Sequence, residues 1–344
     1  MVYVVTRFDF RAPYASADQR RDRYRAALDM ARFADETGHH AINVSEHHGS
    51  PDGYLPSPLI AASAIAAVTE RIQIAVWALI APLYDPVRLA EDIAVLDHVA
   101  SGRVSYTFGL GYRPVEYALH SREWSRRGAR LEEQLRTMLA VWRGEPVGTD
   151  PADGSTRMSA HPLPFSDPHP LVFLGGGSPA ARRAGRLGMH YQPQVDDPEL
   201  TRLYRAECRA HGHEPGLVVA PIPGPATVFC AEDPDAFWAE HGRHLLADAR
   251  GYRAWQDARH PGDRSGTGRS SFVHSDAATV EDLRAEGVYL VATPDELVSR
   301  VRTGDLGLLS CHPLCGGLPI AAGWESMRLL ADRVLPQIRE RGRA

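Results

Sequence analysis

Residues 42–58, INVSEHHGSPDGYLPSP, decide how the chain is read. Ile42 and Val44 alternate as in a short strand that runs straight into Glu46-His47-His48. A loop broken by Gly and Pro follows, and Ser57-Pro58 opens a helix. Ionisable residues at the C-terminal end of a strand, just before a strand-to-helix loop, are where barrel and open-sheet enzymes keep their chemistry. Neighbouring residues on a strand point to opposite faces, so at most one of the two histidines faces a given pocket. The pattern favours a one-histidine site over a two-histidine metal site.

Strand and helix signals alternate along the chain. VYVVTRF reads as a first strand, and residues 18–37 as a helix with Ala27, Met30, Ala31 and Ala34 on one face and Gly38 as its stop. AINVS is the second strand and 57–70 the second helix. IQIAVWALI is a continuous apolar run, the mark of a strand covered on both faces. Residues 86–100 form a helix burying Leu89, Ile93, Leu96 and Ala100; RVSYTFGLG is the fourth strand, and 124–143 a helix closed by Gly144. Ser57-Pro58, Asp85-Pro86, Ser178-Pro179, Asp197-Pro198, Asp233-Pro234 and Thr293-Pro294 each place a capping oxygen before a proline. LVFLGG, residues 188–192, ATVFCA and LGLLSC are the later strands. Repeated units of this kind imply α/β architecture with right-handed crossovers, and the count favours a closed TIM-like (β/α)8 barrel spanning 1–344 as a single domain. Insertions are expected near 145–170 and 231–292. The second carries a helix (Phe237 to Ala258) and a soft segment, HPGDRSGTGRSS, expected to be mobile.

The composition, 44% hydrophobic and 24% charged with a net charge of −5, is that of an ordinary globular protein and carries no nucleic-acid footprint. All 38 basic residues are arginine, which excludes a Schiff-base or pyridoxal-phosphate lysine and a Walker A loop. The N-terminal stretch is too short for a signal peptide, and no apolar run approaches membrane-spanning length, so the expected compartment is the cytoplasm. Cys208, Cys230, Cys311 and Cys315 contain no CxxC pair and are expected to be reduced, packed thiols with no metal site.

Four further stretches can carry chemistry. In LVFLGGGSPAARRAGRLG (171–188), Gly175, Gly176 and Gly177 precede a helix at Ser178, whose free N–H groups and dipole favour an anion; a phosphate cradle and a plain capped turn are both open. In GLGYRPVEY (109–117), Gly109 and Gly111 leave space above the sheet into which Tyr112 and Arg113 can reach. In AVWALIAPLYDP (75–86), Trp77 needs a partner for its N–H. In CHPLCGGLPIAAGWES (311–326), His312 stands where it can line a pocket mouth, and His274-Ser275-Asp276 reads as surface. HExxH, GxSxG and a strand-to-helix GxGxxG do not occur, so zincin, α/β-hydrolase and Rossmann readings lack support.

In these stretches the chain resembles the bacterial luciferase-like family of flavin-dependent monooxygenases. SEHHGSPDGYLPSP, ALIAPLYDPVRLAEDIAVLDHVASGRV, GLGYRPVEY and LGGGSPAARRAG follow in the family's order over nearly the whole chain. The resemblance implies a TIM-like barrel with reduced flavin (FMN) across its C-terminal mouth. His47 matches the active-site histidine, and Trp77-Ala78 a non-prolyl cis peptide under the flavin ring. Gly176, Gly177 and Ser178 match the phosphate-binding turn, with Gly175, Gly109 and Tyr112 also expected at the cofactor. The position of the luciferase's reactive cysteine falls at or near Gly109, so light emission is not implied. The implied reaction is oxygen activation through a flavin hydroperoxide, followed by hydroxylation or Baeyer–Villiger insertion on a small organic substrate. His47 would hold or relay the proton; Glu46 would orient a histidine or pair with an arginine; His48 would be structural. Reduced flavin would come from a separate reductase, and family members are usually homodimers through the second and third helices. The rival readings are a hydride-transferring dehydrogenase using the deazaflavin coenzyme F-420, a flavin-binding protein without turnover, and a barrel hydrolase holding a metal on Glu46, His47 and His312.

Overall fold

Nine short strands form one parallel sheet, and helical crossovers join most of them, in the computed structural model. It describes residues 2–258, 273 and 275–339. The first half runs β1 (Tyr3–Phe8), α1 (Ala17–Thr37), β2 (Ala41–Val44), α2 (Pro58–Val68), β3 (Gln73–Leu79), α3 (Pro86–Ala100), β4 (Val104–Phe108), α4 (Pro114–Leu119) and α5 (Arg127–Trp142). A two-stranded antiparallel hairpin, β5 (Gly148–Thr149) with β6 (Thr156–Met158), occupies the expected excursion. The chain continues through β7 (Leu171–Gly176), α6 (Ser178–Leu187), β8 (His190–Pro193), α7 (Pro198–Ala210), β9 (Thr227–Cys230) and α8 (Pro234–Asp257). It ends with α9 (Val280–Glu286), β10 (Tyr289–Ala292), α10 (Pro294–Thr303), β11 (Leu308–Cys311), α11 (Ile320–Leu329) and α12 (Leu335–Arg339). The strand order is β10-β9-β11-β1-β2-β3-β4-β7-β8.

The sheet differs from the expected strand list by one member. β10 follows α9 after the left-handed Gly287 and adds to the free edge of β9. Its apolar run lies at the end of the stretch expected as an insertion, 231–292, and so is not counted among the expected strands. The remaining strands overlap the stretches in which the sequence placed them. β3 is buried on both faces at Ile74, Ala75 and Val76, which explains its unbroken hydrophobicity.

Helix starts follow the cap chemistry with two exceptions. Asp85, Asp197, Asp233 and Thr293 each accept backbone N–H bonds from the first turn they precede. Ser57 makes no side-chain cap bond. At α6 the cap is Gly177 in an extended conformation, and Ser178 is the first helical residue. Pro179 fits one position further in because the first-turn N–H groups have no helical partner to lose. The shift leaves the Ser178 side chain exposed at the helix start.

The main core joins α1–α3 and α5 to the sheet through Met30, Ile42, Ile65, Ile74, Leu89, Ile93 and Leu135. Each such side chain stabilises the fold by about 1.5–3 kcal/mol. A smaller cluster around Val4, Val228, Leu309, Val334 and Leu335 closes the β9–β11 side. All four cysteines are buried and unpaired. Among the described residues no helix is long and apolar enough to cross a membrane. The 260–271 segment and His274 lie outside the described residues; of the triplet read as surface, Asp276 is exposed but Ser275 is buried.

Candidate active site

His47 leaves the C-terminal end of β2 in a loop that three backbone anchors hold. His47 N–H donates to Leu55 O (3.1 Å), Leu55 N–H to Asp9 O (2.9 Å) and Ala12 N–H to Asp52 O (2.8 Å). The Asp52 carboxylate also receives Arg11 Nε at 2.7 Å and Tyr54 N–H at 3.2 Å. So fixed, His47 is buried, and its Nδ1 donates to Glu116 Oε1 at 2.8 Å. The same oxygen accepts the His48 N–H (3.1 Å) and Arg113 Nη1 (3.1 Å). Burial pushes the Glu116 carboxyl up, but His47, Arg113 and the His48 N–H outweigh it and hold it below the usual range. An ionised carboxylate only accepts, so Nδ1 carries the proton, and in a neutral ring Nε2 is then an acceptor. Tyr112 OH faces Nε2 at 3.3 Å. Burial raises the Tyr112 phenol far above its ordinary value, so the hydroxyl keeps its proton.

Strand alternation survives past the end of β2. His48 points away from His47, donates through Nε2 to Glu46 Oε1 at 2.6 Å, and meets the His120 ring at 4.4 Å. Glu46 therefore orients a histidine, and that histidine is His48. The buried Glu46 carboxylate also accepts Ile80 N–H at 2.6 Å and Tyr84 OH at 2.8 Å. Its own N–H donates to Ala78 O at 3.3 Å. Glu46 thus clamps the end of β3 to the end of β2. Of the two adjacent acidic and basic pairs, only His47–Glu116 faces the aromatic side of the site.

The clamp holds a non-prolyl cis peptide between Trp77 and Ala78, as the resemblance implied. The buried Trp77 Nε1 has no hydrogen-bond partner. Next along the sheet, a Cβ on Gly109 would stand 3.2 Å from Ala78 Cβ, so a larger residue would crowd the cis peptide. At the end of β7, Gly176 has φ +140°, closed to L side chains, and Tyr191 OH donates to its carbonyl at 2.7 Å. A Cβ on Gly177 would meet nothing within 4 Å. Because β2, β3, β4 and β7 are consecutive in a parallel sheet, His47, Trp77-Ala78, Gly109 with Tyr112, and Gly175–Ser178 share its C-terminal edge. An open glycine turn at a helix N-terminus suits a phosphate, and a cis-peptide shelf bearing an unpartnered indole N–H suits a planar heterocycle. These residues fit a phosphate-bearing flavin or deazaflavin.

Sequence reasoning missed two members of the site. Glu116 lay inside a stretch singled out for its glycines and Tyr112, but nothing local ties it to a histidine 69 residues away. Trp255, on α8 between β9 and β10, lies with its ring centroid 4.5 Å from that of His47.

His312 is not at a pocket mouth. It is fully buried, with Arg7 Nη2 donating to its Nδ1 at 2.9 Å and Asp9 Oδ1 3.2 Å from its Nε2. Beside it lie Asp248 and Cys315, with ligand-type atoms within 4.8 Å of one another. Arg7 also reaches Asp248 at 3.7 Å, so a guanidinium already balances this trio and a divalent ion would be repelled. Among the described residues, Glu46, His47 and His312 form no ligand cluster together, against the metal-hydrolase arrangement.

The luciferase-like monooxygenase family model matches residues 1–306. Over 98% of this chain and 99% of the other, the fold superposes on monooxygenase RslO1 from Streptomyces bottropensis, with a TM-score of 0.72 and 25% identity. The oxygenating constituent of 3,6-diketocamphane monooxygenase from Pseudomonas putida, a type II Baeyer–Villiger enzyme solved with FMN, superposes with a TM-score of 0.63. It is 21% identical over 98% of each chain. An F420-dependent glucose-6-phosphate dehydrogenase from Gordonia bronchialis is 30% identical over 48% of this chain and 51% of its own length. The chain spans about half the length of the curated relatives it matches. Its fold is that of the TIM-like luciferase barrels.

Proposed function

The chain belongs to the luciferase-like monooxygenase family, and on that premise we propose that it is a flavin-dependent monooxygenase. It takes reduced FMN from a separate flavin reductase and uses O2 to oxygenate a small organic substrate, by hydroxylation or Baeyer–Villiger-type insertion. The observation that carries the reading is the buried His47–Glu116 pair beside Tyr112 on the same sheet edge as the cis peptide and glycine turn.

Reduced FMN, when bound, supplies the electrons that activate oxygen. Gly176, Gly177 and Ser178 would hold its phosphate, while Trp77, Ala78 and Gly109 would shape the shelf for its ring. Glu116 fixes the tautomer of His47, so that Nε2 is the atom that takes, holds or returns a proton. Tyr112 OH, 3.3 Å from Nε2, is a proton donor to it. The rings of Tyr54, Tyr112 and Trp255 around His47 exclude water, which oxygen chemistry at a reduced flavin requires. The working unit is a cytoplasmic homodimer paired through α2 and α3, where Ile60, Val95 and Val99 stand exposed.

The second reading is hydride transfer with coenzyme F-420, favoured by the F420-dependent relative. The two separate by titration: the oxygenase binds reduced FMN and consumes O2, whereas the dehydrogenase binds the deazaflavin and consumes none. Replacing His47 with Ala should keep flavin binding and abolish coupled turnover. Unchanged product formation would remove His47 from the mechanism, and tight binding of oxidised flavin with no turnover at all would leave a flavin carrier.

A further inference from the structure

The wall in front of His47 is supplied from outside the strand ends. On α8, Asp248, Gly251, Tyr252 and Trp255 recur at helical spacing and share one face. Asp248 ties that face down. Arg11 Nη1 lies 3.4 Å and Tyr289 OH 2.6 Å from its carboxylate, both donating to it. Gly251 makes room for Arg11, since a Cβ there would stand 1.8 Å from its Nη2. Tyr252 meets Tyr54, hydroxyl to hydroxyl, at 3.1 Å. The face ends on Trp255, 5.5 Å from the Tyr54 ring and 5.6 Å from the Tyr252 ring.

Over the Trp255 ring lie two guanidinium groups, Arg11 with Cζ 4.6 Å and Arg113 with Cζ 4.3 Å from its centroid. Both are held by other bonds, Arg11 by Asp52 and Arg113 by His48 O and Glu116. The wall is therefore built before any substrate arrives, which lowers the ordering cost of binding. Among the described residues, the rings of Tyr54, Tyr112 and Trp255 pack around His47. The two guanidinium groups are buried against Trp255 and fix its ring. Rings attract rings by stacking or edge contact, which a saturated substrate does not gain.

Resting on the oxygenase reading, we infer that Trp255 is the specificity-determining residue of this site and that the substrate is a planar aromatic compound. The substrate ring packs on Trp255, which Arg11 and Arg113 hold in place, with its reacting edge toward His47.

Calorimetric titration of the full chain with naphthol and with its saturated counterpart, decahydronaphthol, tests this. Naphthol should bind at least about tenfold tighter, ~1.4 kcal/mol. Trp255→Leu should bring the ratio close to one, and Trp255→Phe, which keeps a ring, should retain most of it. Equal binding of the two probes, or an unchanged ratio in Trp255→Leu, would overturn the inference. If Trp255→Leu does not fold, as a thermal melt would reveal, the comparison in the unaltered chain and in Trp255→Phe decides. FMN binding, followed separately by flavin fluorescence, keeps the two readings apart. A chain that prefers naphthol but binds no FMN would overturn the flavin reading alone; one that binds FMN without the preference would overturn this inference alone.

Discussion

Replacing Gly177 with Asp should separate phosphate recognition from folding. Gly177 caps α6 with φ −85° and ψ −152°, an extended conformation open to any residue, and its added Cβ would touch nothing within 4 Å. An aspartate there is a preferred helix cap and should leave stability unchanged or raise it by a few tenths of a kcal/mol. The same carboxylate would stand on the order of 5 Å from a phosphate bound at this helix start and would take up an N–H the phosphate needs. At water's dielectric each pair of charges at that distance costs about 0.8 kcal/mol. With a phosphate carrying about two charges, FMN should lose about 1.6 kcal/mol, roughly fifteenfold in affinity. Riboflavin has the same ring and no phosphate, so its affinity should hold. Fluorescence titration of both ligands against both proteins, with a thermal melt of each, gives the result. Equal weakening of FMN and riboflavin, or no weakening of FMN, would refute the cradle; a lowered melting temperature would refute the cap geometry.

Three other perturbations test the supporting structure. Glu116→Gln keeps the shape that accepts His47 Nδ1 but loses the charge, a difference of about 1–2 kcal/mol between charge-assisted and neutral hydrogen bonds. Product formed per O2 consumed should fall about tenfold with FMN affinity unchanged; an unaltered coupling ratio would show that the pair is only structural. Glu46→Ala leaves the Ile80 N–H, the Tyr84 hydroxyl and His48 without their shared acceptor. Urea unfolding should show a loss of about 2–4 kcal/mol, and a loss below about 1 kcal/mol would contradict the clamp. Burial, with Arg339 and His40 adding, lowers His39 to about 4. Its unfolded value is near 6.5, so below that pH the unfolded chain takes the proton first. The His39 contribution to stability is present above about pH 6.5 and lost as pH falls toward 4, about 3 kcal/mol in all. His39→Gln should flatten the stability profile over that window, and an unchanged slope would show that His39 does not set it.

Much of this fold was readable because local chemistry and the sheet agree. Prolines at helix starts marked most of the helical crossovers, and the apolar run through Ile74 and Val76 announced a strand covered on both sides. Alternation alone separated His47 from His48, which the structure sends to different carboxylates. What escaped was long-range pairing. Glu116 and Trp255 look like ordinary surface-helix residues until α4 and α8 fold over the strand ends, and no periodicity records which histidine they meet. His312 was misplaced for the same reason: the arginine and aspartate that bury it lie at the other end of the chain.

The central claim, that His47 works beside a reduced flavin to direct oxygen chemistry, is tested most directly by anaerobic stopped-flow mixing. The protein loaded with reduced FMN is mixed with oxygenated buffer, and the return of oxidised-flavin absorbance is followed for the unaltered chain and for His47→Ala. The account predicts a protein-dependent lag before oxidised flavin appears, longer than for FMN in free solution and shortened or abolished by His47→Ala. Reoxidation at the free-solution rate, identical in both proteins, would contradict it.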